Sequence, residues 1–168
     1  MNCSNFLTRR RRGTKAAVVL ILAIMFMGCQ LNDDGFEDTG FIPVGEWSDG
    51  FDGGYNITEF SVEYYSPDYG PDFPAQTLKG NIEKVVGFSD NSGALVIKIT
   101  QAENMEHTPG KYTCVYYKEY SDNHVLLANP VGPAYETIEV DSLNAALALF
   151  TSGNMSTHVT FWGSGYTK

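Results

Sequence analysis

Asp90-Asn91-Ser92-Gly93-Ala94-Leu95-Val96-Ile97-Lys98-Ile99-Thr100 is the stretch that decides the fold. Asp-Asn-Ser-Gly is turn chemistry, and the run after it alternates with period two. Leu95, Ile97 and Ile99 face one side of a strand, and Val96, Lys98 and Thr100 the other. Leu78 to Phe88 leads into the turn as the partner strand, with Ile82, Val86 and Phe88 in one alternating register. A hairpin of this kind needs further strands to cover its apolar face.

The neighbouring segments supply them. Gly110 to Tyr120 reads as a long aromatic strand, with Tyr112, Cys114 and Tyr116 on one face and Thr113, Val115 and Tyr117 on the other. Cys114 is placed inward, packed as a small hydrophobe. Ser121-Asp122-Asn123 turns the chain and His124 to Ala128 returns it. Before the hairpin, Val44 to Trp47 is a short strand, and Tyr55 to Tyr65 a second one with a phase change near Glu59. Ser66 to Ala75 carries Pro67, Pro71 and Pro74 and is a loop. Thr137 to Val140 reads as a further short strand. The period then changes to that of a helix, with Asp141 as cap, an apolar stripe of Leu143, Ala146, Leu147 and Phe150, and Gly153 as the stop. His158 to Trp162 reads as the closing strand. The pattern predicts a mostly β domain: an antiparallel barrel or sandwich of seven to eight strands with one short helix near the C-terminus.

The first 28 residues are of another kind. Arg9 to Arg12 and Lys15 precede an unbroken apolar run from Ala16 to Met27, then Gly28-Cys29. A basic start, a short apolar middle and a small residue before a cleavage point make a signal peptide. The run falls short of the roughly 20 residues that span a bilayer. Gly28-Cys29 resembles the lipobox of bacterial lipoproteins, in which the Cys is acylated and becomes the new N-terminus. Phe26 and Met27 depart from the usual Leu and small residue of that box. The resemblance implies a lipoprotein signal peptide over 1–28 and lipidation at Cys29. Residues 29–42 read as an acidic flexible tether and 43–168 as a single β-rich domain. Gln30, where Asp would signal inner-membrane retention, implies the outer membrane.

Charge and cysteine content narrow the function. Every Arg lies at positions 9–12, so the chain after Cys29 has six Lys against twenty acids. Without the guanidinium fork and with such negative charge, nucleic acid is excluded as a partner. Attachment to anionic lipid by charge is excluded likewise, leaving the lipid on Cys29 as the membrane contact. Cys114 is the one thiol left, so the fold rests on its core rather than on disulfides.

Two resemblances can be stated on quoted residues. Leu78-Lys79-Gly80-Asn81-Ile82, Ser92 to Ile97, Gly110-Lys111-Tyr112, Val115 to Lys118, Leu127-Ala128-Asn129, Leu143 to Ala146, Phe150-Thr151 and Trp162-Gly163 resemble, in this order, a group of small spirochaetal lipoproteins. That likeness implies an envelope protein and carries no catalytic residues to transfer. Gly45-Glu46-Trp47 resembles the Gly-x-Trp that opens a lipocalin barrel, with Trp47 as the plug at one end. The lipocalin Arg that covers this Trp has no counterpart in an Arg-free domain.

Candidate sites are few. The loop Tyr64 to Phe73 holds four aromatics on a Pro-stiffened backbone, and Tyr65, Tyr69 and Phe73 are the candidate contacts for a protein, a glycan or a small apolar ligand. Asp49-Gly50-Phe51-Asp52-Gly53 lacks the spaced third acid and distal Glu of an EF-hand and reads as a turn. His107, His124 and His158 have no short ligand spacing. Cys114 in an apolar strand is an inert thiol, and Gly163-Ser164-Gly165 lacks the helix of a nucleophile elbow. No metal, cofactor or catalytic residue is expected. The reading is a non-enzymatic, lipid-anchored envelope protein with a binding or surface-contact role. The alternative is a lipocalin-like carrier with an apolar ligand in the barrel.

Overall fold

Strands β4 (Gln76–Gly87) and β5 (Gly93–Glu103) form the longest hairpin of the protein, seen here in a computed structural model that describes residues 41–88, 91–161 and 165–168. β1 (Gly45–Ser48), β2 (Gly54–Ile57) and β3 (Ser61–Ser66) precede it; β6 (Tyr112–Ser121), β7 (His124–Ala128) and β8 (Tyr166–Thr167) follow. Each strand pairs antiparallel with the next, and β8 returns to β1, so eight strands close into an up-and-down barrel. Two short helices, α1 (Leu143–Leu149) and α2 (Ser152–His158), lie between β7 and β8.

Alternation along the strands divides the apolar residues between two cores. Leu95, Ile97 and Ile99 of β5 point into the barrel with Val115 and Tyr117 of β6, Leu78, Val62, Ile57 and Trp47. Val96, Cys114 and Tyr116 point outward and are covered by Ala146 and Phe150 of the helical segment. Cys114 is therefore buried, but on the outer wall rather than inside the barrel, because its parity is that of Tyr112 and Tyr116. Phe150 meets Tyr116 edge-on at 6.2 Å between ring centres. Burying a side chain of that size is worth about 1.5–3 kcal/mol, which fixes a seven-residue helix too short to persist alone.

Several local readings are corrected. Tyr55 to Tyr65 is two strands, β2 and β3. The phase change near Glu59 is a turn in which Thr58 Oγ1 accepts from the Phe60 and Ser61 amides. Ile82 and Val86 do not share a register: Glu83 is a bulge, since Ile82 pairs Ile97 while Lys84 pairs Val96. The extra residue turns Ile82 and Val85 into the barrel and Val86 and Phe88 onto the outer wall. β5 runs on to Glu103 past a second bulge at Thr100, whose hydroxyl donates to the Lys79 carbonyl at 3.1 Å. Thr137 to Val140 makes only isolated bridges. The helix cap is Ser142, accepting from the Ala145 amide, and not Asp141. Gly153 does not end a helix but lies inside α2, capped by Thr151. The closing strand is Tyr166–Thr167, since His158 completes α2 and the residues to Phe161 form no strand. Ile42, at the end of the expected tether, packs against the barrel core. Signal peptide, Cys29 and the rest of the tether lie outside the described residues. Among the described residues no helix is long and apolar enough to cross a membrane.

One end of the barrel is shut by Trp47. Its indole N–H donates to the Pro43 carbonyl at 2.7 Å, its ring meets Tyr120 edge-on at 6.1 Å, and Lys168 Nζ lies 4.7 Å above it. Gly54 is required opposite: a Cβ there would run into the Trp47 carbonyl. Trp47 is fully buried, so Trp47→Ala is expected to cost about 3–5 kcal/mol. Urea unfolding of the wild type and the variant measures it, and a cost near zero would remove Trp47 from the core.

Candidate functional site

The opposite end of the barrel is open. Four connections lie there: Asp49–Gly53 between β1 and β2, Pro67–Ala75 between β3 and β4, Asn104–Lys111 between β5 and β6, and the long return from Asn129 to Gly165. Each is shaped by its own residues. Asp49 Oδ1 accepts from the Phe51 amide at 2.7 Å and the Gly53 amide at 3.1 Å, an Asx turn that occupies this carboxylate oxygen. In the second loop Tyr69 and Phe73 close a small turn, the Tyr69 amide donating to the Phe73 carbonyl at 2.9 Å. The Tyr69 hydroxyl donates to the Phe51 carbonyl at 2.8 Å, which ties the first two loops together.

These loops carry a rim of exposed aromatics. Tyr69 is 59% exposed, Phe73 69%, Phe51 74% and Tyr135 79%. Tyr65, less exposed, stands on the outer face of β3, with its hydroxyl over Gly54. Tyr65, Tyr69 and Phe73, the three residues expected from sequence, thus sit at one end of the barrel, and the structure adds Phe51 and Tyr135 to them. Tyr135 is held at φ 64°, the left-handed region, by the turn from Gly132 to Glu136. Strain of about 1–3 kcal/mol attends a bulky residue there and tends to persist at functional positions.

Inside the rim is a half-enclosed cavity of about 230 Å³. Tyr55, Tyr64 and Tyr166 form its floor and wall: the Tyr55 ring lies 5.1 Å from Tyr64 and 5.2 Å from Tyr166. Leu127, Ala128, Asn129, Val131, Tyr135 and Thr160 complete it. Burial raises the pKa of the Tyr55 hydroxyl well above the usual phenol value, and the neighbouring Tyr166 and Tyr64 add to the effect. Tyr166 is pushed up to about 12, by burial first and then by Tyr64 and Asp49. All three are neutral donors and acceptors at neutral pH. The buried Asn129 Oδ1 has no hydrogen-bond partner among the described residues.

Below this mouth the barrel is filled by its own side chains, from Leu78 and Ile97 down to Trp47, all without exposure. A second hollow of about 320 Å³ lies at the other end, open to solvent between Glu59, Glu83 and Lys84. Cys114 stays protonated, because burial drives its pKa well up. The histidines are apart. His107 Nδ1 lies 3.8 Å from Glu139, whose carboxylate also takes the Thr108 amide and hydroxyl and Lys111. His124 is on β7, and the His158 carbonyl accepts from Val131. Among the described residues no three His, Cys, Asp or Glu side chains are set to hold a metal.

No family model, curated protein or solved structure matches the chain.

The tyrosine cavity was not foreseen from sequence. Its signal was the turn at Thr58–Ser61: once that turn is read, Tyr55 and Tyr64 fall opposite each other on the inner face. The phenols also set an alkaline limit on the domain. Their folded pKa lies above the ordinary value of 10, so folding keeps protons that the unfolded chain gives up. That stability is complete below pH 10 and is lost as pH rises toward about 12, the value for Tyr166. Tyrosinate absorbance at 295 nm is expected to rise together with loss of near-UV circular dichroism in that window. Early, non-cooperative ionisation of all ten tyrosines would contradict the burial described here.

Proposed function

We propose that the protein is a lipid-anchored, non-enzymatic component of the cell envelope whose β-barrel presents the open, aromatic end as a contact surface. The observation that carries this is the gathering of Phe51, Tyr65, Tyr69, Phe73 and Tyr135 at one end while the barrel interior is packed. Exposed aromatics on tied loops lose little entropy on binding and provide the large contacts on which binding energy concentrates. The lipobox-like Gly28-Cys29 and the acidic residues after Cys29, among which there is no Arg, support anchoring through acyl chains on Cys29 rather than through charge.

The carrier reading has one favourable observation, the closed eight-stranded barrel with Trp47 plugging one end under Lys168. Against it, pockets for drug-sized ligands hold roughly 300–1,000 Å³, and the mouth offers about 230 Å³ with hydroxyls on its wall. A long apolar ligand does not fit.

Anchoring is tested by Cys29→Ala. The variant is expected in the aqueous phase of a detergent partition and the wild type in the detergent phase; a variant still membrane-bound at high salt would falsify the lipid anchor. The contact surface is tested by replacing Tyr65, Tyr69 and Phe73 together with Ser. Retention of the protein on immobilised envelope extract is expected to be lost. Unfolding stability should change by only about 1 kcal/mol, because the side chains are exposed. Undiminished retention, or ready unfolding of the triple variant, would sink the proposal.

A further inference from the structure

The cavity inside the rim has a composition that neither the lipid anchor nor the outward aromatics explains. Its walls bring together four hydroxyl-bearing residues, Tyr55, Tyr64, Tyr166 and Thr160, and the amide-bearing Asn129; the Tyr55 hydroxyl is bonded to the Asn129 backbone and that of Tyr64 to the Ser66 side chain. The Asn129 oxygen is buried without a partner among the described residues. A buried acceptor left unpaired costs free energy, so its retention calls for a donor arriving from outside the chain. No charged side chain lines the cavity among the described residues. An ion would be desolvated there without a counter-charge. A purely apolar ligand would leave the Asn129 oxygen without a donor.

What suits these walls is a neutral ring bearing hydroxyls on its edge and C–H groups on its face. The volume of about 230 Å³ admits one such ring. Tyr135, exposed and held in a left-handed conformation beside the opening, supplies a ring face to stack on. We infer that the mouth cavity of the barrel is a binding site for one neutral hexopyranose unit, hydrogen-bonded by Asn129, Tyr166 and Thr160 and stacked on Tyr135. The same chemistry is offered by a free monosaccharide or by the end of a glycan.

The test is a titration of the full-length protein in detergent, followed by saturation-transfer NMR, with glucose, N-acetylglucosamine, maltotriose and chitotriose. Glucuronate and indole serve as the charged and apolar probes. At least one neutral sugar is expected to bind with Kd on the order of 1 mM, and glucuronate and indole at least about tenfold more weakly. A trisaccharide that binds better than its monosaccharide identifies a glycan end; equal or weaker binding identifies a free sugar. Asn129→Leu is expected to abolish the signal without lowering Tm, because it removes an unpaired acceptor. Tyr135→Gly should weaken binding about tenfold and leave Tm unchanged or higher, since Gly accepts the left-handed backbone. No saturation transfer to any neutral sugar, equal binding of glucuronate or indole, or undiminished binding in both folded variants would overturn the inference. Should Asn129→Leu fail to fold, Tyr135→Gly alone decides. The Ser-substituted rim variant leaves Asn129 and Tyr135 in place, so failure here and failure of the contact surface are read separately.

Discussion

The structure depends on two residues of pairing. β8 is only Tyr166–Thr167, yet it joins His124 and Val125 on one side and Ser48 on the other. Without it β1 and β7 would be free edges, open to pairing with another chain. With it the sheet has no edge, and two side chains two residues apart are placed at opposite ends of the barrel. Tyr166 enters the tyrosine cluster at the mouth, and Lys168 lies over Trp47 at the closed end. Gly45 makes room for that lysine, since a Cβ there would lie 2.6 Å from Lys168 Cε.

The division of labour follows from this closure. A small eight-stranded barrel has an interior just wide enough to be filled by side chains. Here they are aliphatic in the middle and aromatic at both ends. One aromatic end is sealed, by an indole whose N–H is satisfied internally. The other is lined with phenols and an amide oxygen facing a cavity, and the loops above it display further rings. Phe51, Tyr69, Phe73 and the left-handed Tyr135 stand together at this end, on loops carried by a rigid scaffold.

Much of the barrel was legible in the sequence because its central strands alternate cleanly. Leu95, Ile97 and Ile99 and the partition of Tyr112 to Tyr117 follow from period two alone. Legibility failed where one residue breaks the period. Glu83 and Thr100 are ordinary strand residues, and only the pairing register shows them to be bulges. Thr58 to Ser61 carries neither Gly nor Pro, so its turn, built on a threonine hydroxyl, passed for a strand irregularity. At the site, Tyr65, Tyr69 and Phe73 were visible as aromatics among prolines. Tyr55, Tyr64 and Tyr166 were not, because what unites them is closure of the barrel between residues far apart in the chain. The helical stripe Leu143, Ala146 and Phe150 was readable, but not that it would cover the outside of the sheet.

The bulge at Glu83 has a consequence beyond local geometry. By moving the side-chain phase within a single strand, it sets Val85 inward with Ile82 and Leu78, and Val86 and Phe88 outward under the helical cover. β5 and β6 likewise lend one face to each core. The two cores therefore share a backbone, and neither can lose its order while the other keeps it. The helices behave accordingly as part of the wall, and the domain as one cooperative unit in which no layer is dispensable.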